Sequence, residues 1–320
     1  MENLKFKLFK STSSEAAPPH LTRGIVISLC AYLFFISAST MVWNFGENFP
    51  TIQIIFIQNL VSLLCILPIA LRKGIARIKT QFLSDHLIRD LFGVGSYYLY
   101  FLAIRYLNLL DATTLSYVAP FFVPLVWWVW MKQKVGSHIW WSIIVGFIGV
   151  AVILNPSRQI FQLGFVYGLF AGICSAVGLC AVRVLNLRKE PMSRTLFYYF
   201  SIGALLTFPF AWAAWVSPTA LDWILMIGVG LATAIGQILL TISYRYGTAA
   251  YLSPLSYSTV IYAGLISWIF FDEPLTLRSF IGTVLIIIGG TVTYILKTKP
   301  DSFKGTFIAP QVKEKDKPPF

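Results

Sequence analysis

Ten apolar runs follow one another along the chain, each near the ~20 residues that cross a ~30 Å hydrocarbon core as a helix. They cover 24–43, 50–71, 87–106, 110–130 and 137–154, then 164–183, 191–215, 221–244, 247–270 and 275–296. Short polar segments separate them. The pattern predicts an all-α integral membrane protein with ten transmembrane helices. A flanking arm over 1–23 and a Lys/Pro-rich tail over 297–320 have too little apolar content to pack, and both are expected to be cytoplasmic, the tail disordered.

The runs repeat. Segment 103–154 aligns without a gap on 243–294 at an offset of 140, with ten identities in 52 positions. Arg105-Tyr106 falls on Arg245-Tyr246 and Leu115-Ser116-Tyr117 on Leu255-Ser256-Tyr257, while Leu125, Trp128, Ile148, Gly149 and Val152 also meet identical residues. At the same offset Gly24, Val26, Leu29 and Ala31 match Gly164, Val166, Leu169 and Ala171. The first run is therefore expected to be a retained span and not a cleaved signal peptide, although Ser37-Ala38-Ser39 loosely resembles a cleavage site. The second run pairs with the seventh at an offset of 141, Pro50 with Pro191 and Pro68 with Pro209. The reading is a duplication: a first five-helix repeat over 24–154 and a second over 164–296. Five is odd, so the halves are expected to lie in the membrane in opposite senses, as inverted repeats.

Composition agrees with a membrane class. Hydrophobic residues make up 57% and charged residues 12%, against about 25% charged in ordinary globular chains, and the mean hydropathy is +0.73. The formal charge of +12 needs no nucleic acid as partner, because basic residues of membrane proteins collect in cytoplasmic loops. With the N-terminus inside, 22 Lys/Arg fall on the cytoplasmic side, leaving only Arg105, Arg158 and Arg278 outside. The expected location is the cell inner membrane, with both termini cytoplasmic. At matching turns Lys132-Gln133-Lys134 is replaced by Asp272-Glu273-Pro274, a charge swap that follows the inversion. The cysteines (Cys30, Cys65, Cys174, Cys180) lie inside apolar runs and read as small buried hydrophobes; His20, His86 and His138 lie outside or at the rims, so no metal or other cofactor is expected.

The ten spans, the duplication, and the turn Phe271-Asp272-Glu273-Pro274-Leu275 before a helix with Gly282, Gly289 and Gly290 together resemble the drug/metabolite transporter superfamily, EamA type. The resemblance covers nearly the whole chain. Its acidic residue followed by proline is matched at Glu273-Pro274; the first copy departs from it at Gln133-Lys134. What the resemblance implies is a secondary transporter of small metabolites, amino acids or drugs; some relatives carry S-adenosylmethionine.

Such a transporter holds its cargo near the midplane, between the repeats. Polar and aromatic side chains at mid-run are the candidates: Gln58, Asn59 and Ser62; Tyr97, Tyr98 and Tyr100; Tyr117, Pro120 and Pro124; Gln237; and Ser253, Tyr257 and Tyr262. Buried amides must be paired, so Gln58, Asn59 and Gln237 face either a cavity or another helix. Tyr97 and Gln237 hold equivalent repeat positions, as do Tyr117 and Tyr257. Pro120, Pro124 and Pro254 deprive the backbone of donors in mid-helix, which is tolerated where a cavity or neighbour satisfies the freed groups. A tyrosine-rich, acid-free cavity would suit a planar or cationic cargo. Trp127, Trp128, Trp130, Trp140 and Trp141 read as an interfacial belt. Arg105 and Arg245 read as anchors of helix ends, with steering of an anionic cargo at the two mouths as the alternative, and Asp111 as the cap of span four.

Because Asp90, Asp111, Asp222, Asp272 and Glu273 are placed at or near helix ends, no side-chain proton relay is expected, which favours facilitated transport or exchange. An enzyme is not expected: the runs hold no nucleophile–base pair, paired acids or metal cluster. No G-x-x-x-x-G-K-[ST] loop is present for ATP. A channel or a membrane scaffold are the remaining alternatives, beside an exporter of unknown cargo. The expected partners are a small-molecule substrate and the lipid bilayer; nothing in the chain sets an oligomeric state.

Overall fold

Where hydrocarbon surrounds a chain, backbone donors and acceptors have no water to turn to, and a helix satisfies them within one segment. In a computed structural model, which describes residues 21–45, 48–71, 79–131, 137–154, 163–243, 246, 252–273 and 276–298, every regular element is helical. The first set is α1 (Leu21–Phe45), α2 (Thr51–Leu71), α3 (Leu83–Tyr106), α4 (Leu109–Ser116), α5 (Ala119–Met131) and α6 (Ser137–Leu154). The second is α7 (Leu163–Leu187), α8 (Met192–Ala213), α9 (Ala220–Ser243), a 3-10 segment (Ser253–Tyr257), α10 (Ser258–Phe270) and α11 (Leu277–Thr298). Among the described residues seven segments are long and apolar enough to cross a membrane, α4 and α5 counting together as one; three shorter apolar segments lie at Ile144–Ile153, Leu255–Phe270 and Leu277–Gly289. The expected N-terminal arm lies outside the described residues up to residue 20, as does the tail beyond Thr298.

One boundary differs from expectation in a way that matters. The third helix starts at Leu83, not near 87, and so takes in Asp85 and His86 in addition to Arg89 and Asp90, all of them buried. Their polarity resembles a loop, yet they pair with one another and with the α7–α8 turn, so the helix continues through them.

The packing is helix on helix: α3 against α7, α1 against α9, α2 against α8 and α6 against α11. The main core cluster includes Ile36, Ile54, Phe101, Leu109, Phe200 and Met226; a second, with Leu115, Phe121, Val150, Tyr257 and Ile286, lies under the broken helices. The outer faces are apolar as well, Leu205 and Phe270 being more than 70% exposed, as suits lipid contact. Trp128 and Trp141 are exposed, in keeping with a belt, while the side chains of Trp127 and Trp140 are outside the described set. The cysteines depart from expectation: only Cys180 is buried, Cys65 and Cys174 are half-buried, and Cys30 is exposed on a face where lipid replaces core.

Candidate functional site

Two interruptions occur at the two copies of Leu-Ser-Tyr. In the first, α4 ends at Ser116 and α5 begins at Ala119; Pro120 has no N–H for the Ser116 carbonyl, and the chain passes the gap through tight turns (Val118 N to Leu115 O, 3.3 Å; Phe121 N to Val118 O, 2.9 Å). Pro120 is half-buried in the first turn of α5, and Pro124 is buried one turn on. In the second copy, Ser253–Tyr257 is a 3-10 segment with proline in its first turn, handing over to α10 at Ser258. The side chains of Ser253 and Pro254 are outside the described residues.

The breaks bring the repeated tyrosines together. The Tyr117 and Tyr257 rings lie 6.3 Å apart at 52°. Tyr117 donates its hydroxyl proton to Thr259 Oγ1 (3.0 Å), whereas the Tyr257 hydroxyl is buried without a partner. An orphaned buried hydroxyl costs about 1–3 kcal/mol, which a ligand can recover. Tyr100 shares a 2.8 Å hydrogen bond with Thr113, and the Tyr97 hydroxyl faces Gln237, its repeat equivalent. Tyr97 also neighbours Tyr199 of α8, which sequence reading overlooked because it sits in an aromatic run, Phe197-Tyr198-Tyr199-Phe200, with the look of plain core. Tyr199, Tyr97, Tyr100, Tyr117 and Tyr257 thus form a row of neighbouring rings, a tyrosine corridor, while Tyr98 and Tyr262 are half-buried and pack on the main core.

Other candidates serve helix contacts. Ser62 donates to the Gly230 carbonyl (2.8 Å) and so ties α2 to α9. Asn59 donates to Ile55 O (2.9 Å) and presses on Gly203 of α8, where an added Cβ would sit 2.7 Å from its Oδ1. Gln58 is buried with its Oε1 unpartnered. Asp111 is not the cap of its helix: Asn108 is, accepting from Asp111 N (2.7 Å) and donating to Asp111 Oδ2 (3.0 Å). Arg105 does anchor a helix end, through the Phe49 carbonyl, while Arg245 lies outside the described residues. Beyond α10, burial and the nearby Asp111 carboxylate push the Glu273 carboxyl up, against a 2.9 Å hydrogen bond from Ser267.

At the far end of the corridor is a cluster of charged side chains, in the first turns of α3 and at the α7–α8 turn. The Arg89 guanidinium lies 3.6 Å over the Tyr199 ring and donates to Asp90 Oδ1 at 3.2 Å. Asp90 is fully buried. One turn nearer the helix start, His86 Nε2 meets Glu190 Oε1 (3.2 Å), Arg194 donates to Glu190 Oε2 (3.0 Å), and Asp85 pairs with Arg188 (2.8 Å). Hydropathy placed Asp90 and His86 at a rim because it cannot see charges that neutralise one another. No group of three or more His, Cys, Asp and Glu placed to hold a metal occurs among the described residues.

The turn aiming Glu190 is a Schellman motif: Glu190 N bonds Leu185 O and Lys189 N bonds Asn186 O, both 3.0 Å, with Lys189 at φ 59°. A lysine there is strained by about 1 kcal/mol. Lys189→Gly is expected to raise stability by about that amount in denaturant titrations of the detergent-solubilised protein. Burial alone would raise the Glu190 carboxyl; hydrogen bonds from Thr80, His86 and Arg194, with the Arg194 charge, outweigh it and hold the group below its ordinary value. A folded pKa below the unfolded one stabilises fully above about pH 4.5 and is lost as pH falls through the lowered value. Acid unfolding of wild type should therefore be steeper than that of Glu190→Gln below about pH 4.5.

The model of the EamA-like transporter family matches residues 22–155 and again 162–295. The chain belongs to the EamA-like transporter family. Similar proteins include the pseudopaline exporter of Pseudomonas aeruginosa (25% identity; 84% of this chain, 94% of the relative) and the riboflavin transporter of Vibrio cholerae (25%; 84% and 92%). The S-adenosylmethionine uptake transporter of Rickettsia bellii is also 25% identical, over 76% of this chain and 83% of its own. A solved crystal structure superposes with a TM-score of 0.59 at 17% identity, covering 86% of this chain and 97% of the other, and so shares the fold.

Proposed function

We propose that this chain is a secondary transporter, not an enzyme, that moves a small polar or aromatic metabolite across the cell inner membrane by alternating access. Its relatives are transporters of metabolites, and the transporter family spans most of the chain. The seven long and three shorter apolar segments support ten spans as two inverted repeats, 24–154 and 164–296. So does the packing, since α3 on α7 and α1 on α9 exchange under the repeat, while α2 on α8 and α6 on α11 map onto themselves. Positive-inside charge favours cytoplasmic termini.

The observation that carries the reading is the meeting of Tyr117 and Tyr257 at paired helix breaks. Broken helices at repeat-equivalent positions mark the cargo site in carriers of this type. Tyr97, Tyr117, Tyr257 and Gln237 are the cargo-binding side chains in this reading; the aromatic faces stack on a planar or cationic group and the orphaned Tyr257 hydroxyl bonds a polar one.

Access is testable without knowing the cargo. A single cysteine at Gln237, in a cysteine-free background, should react with a membrane-impermeant maleimide both in right-side-out and in inverted vesicles. Labelling from one side only would contradict alternating access.

A further inference from the structure

The Arg89–Asp90 pair is the least explained feature of the molecule. Both residues lie roughly 9–10 Å into α3, where an ionisable group is costly and marks function more often than packing. The pair is poorly made. Its one hydrogen bond, 3.2 Å, is longer than the ~2.7–2.9 Å of a good charged bond, and the second carboxylate oxygen, Asp90 Oδ2, is sealed from solvent with no partner. Arg89 uses one of its five donors on Asp90 and otherwise rests on the Tyr199 face, with a tenth of its side chain exposed. Tyr199 leads to Tyr97 and thence to Gln237, so the unused donors sit at one end of the tyrosine corridor. The other charges nearby are spoken for: Asp85 by Arg188, and Glu190 by His86 and Arg194.

We propose that Arg89 and Asp90 are an exchangeable pair: a carboxylate of the cargo displaces Asp90 from the Arg89 guanidinium, and the displaced Asp90 takes up one proton. The step balances. One anion and one proton enter, Arg89 trades one carboxylate for another, and Asp90 becomes neutral instead of an unpaired buried charge. Release reverses it, so a carboxylate-bearing cargo crosses together with a proton. Planar, bidentate recognition of a carboxylate is what a guanidinium with free donors provides. This rests on the transporter reading and adds a cargo class and a coupling ion to it.

The test is calorimetric binding to the purified protein in detergent, with phenylalanine and S-adenosylmethionine as carboxylate probes and phenylalaninamide as the control. Binding of at least one carboxylate probe should take up one proton per ligand, read from wild type alone in buffers of different ionisation heat, and weaken by up to tenfold per pH unit as pH rises. Asp90→Asn should bind that probe at least as tightly, with neither proton uptake nor pH slope. Arg89→Gln should weaken it more than tenfold, and Arg89→Lys less. Three results overturn the proposal: equal binding of phenylalanine and phenylalaninamide, no binding of either carboxylate, or binding without proton uptake. A pair that serves folding alone would lower thermal stability on substitution and leave the proton count of wild type at zero. Saturable uptake of riboflavin, which has no carboxylate, together with any of these would leave the transporter standing and remove only this step.

Discussion

Tyr257→Ala is expected to reduce uptake per molecule about five- to thirtyfold, as judged by transport normalised to immunoblot on the same vesicles. The hydroxyl it removes already lacks a partner, so no internal hydrogen bond is lost. Stacking and cation–π contact on the ring supply about 1–2 kcal/mol, and each 1.4 kcal/mol is a factor of ten in affinity. Tyr117→Ala should match it in transport and cost more in stability, because the bond to Thr259 goes with the ring. Tyr117→Phe separates the two, keeping the aromatic face and losing the bond. Tyr97→Ala should lower uptake to a similar degree. Unchanged uptake in all three alanine variants would remove the corridor from the account.

Gly282→Val should prevent assembly, with abundance falling severalfold and the residual protein unfolding early. At the α6–α11 crossing the two backbones all but touch. A Cβ on Gly149 would sit 2.8 Å from the Gly282 carbonyl oxygen, and one on Gly282 would sit 2.7 Å from the Gly149 carbonyl and 2.4 Å from Ile153 Cγ1. A flexible side chain can yield to such an intrusion, but a backbone carbonyl cannot move without its helix. Overpacking costs about 1–3 kcal/mol, and the upper end applies where the obstacle is backbone. Gly95→Ala, where nothing lies within 4 Å of an added Cβ, is the matched control and should leave abundance unchanged. Equal abundance of both variants would mean that α6 and α11 do not pack as described.

Much of this architecture was written in local signals. Hydropathy alone finds the helices, since in hydrocarbon a helix is the only local way to satisfy a backbone. The repeated Leu-Ser-Tyr and its prolines pointed to interruptions in mid-membrane, because a missing N–H is a property of sequence. What sequence could not supply was pairing. Arg89 and Asp90 look like a helix rim until Tyr199, over a hundred residues away, is found beneath the guanidinium. Ser62 looks like a cavity residue until the Gly230 carbonyl is found above it. Asn108 was passed over as a cap because Asp111, three residues on, is the more conspicuous anion; the structure has the amide capping and the carboxylate bracing it.

The measurement that bears most directly on the account is uptake into liposomes containing the purified protein, using labelled amino acids, riboflavin and S-adenosylmethionine, with and without trapped unlabelled cargo. The account predicts that at least one of them enters saturably and faster against its own trapped pool, since a carrier that returns loaded turns over faster than one that returns empty. Flux that rises linearly with concentration and ignores the trapped pool, or no flux of any of them through a well-folded protein, would contradict it.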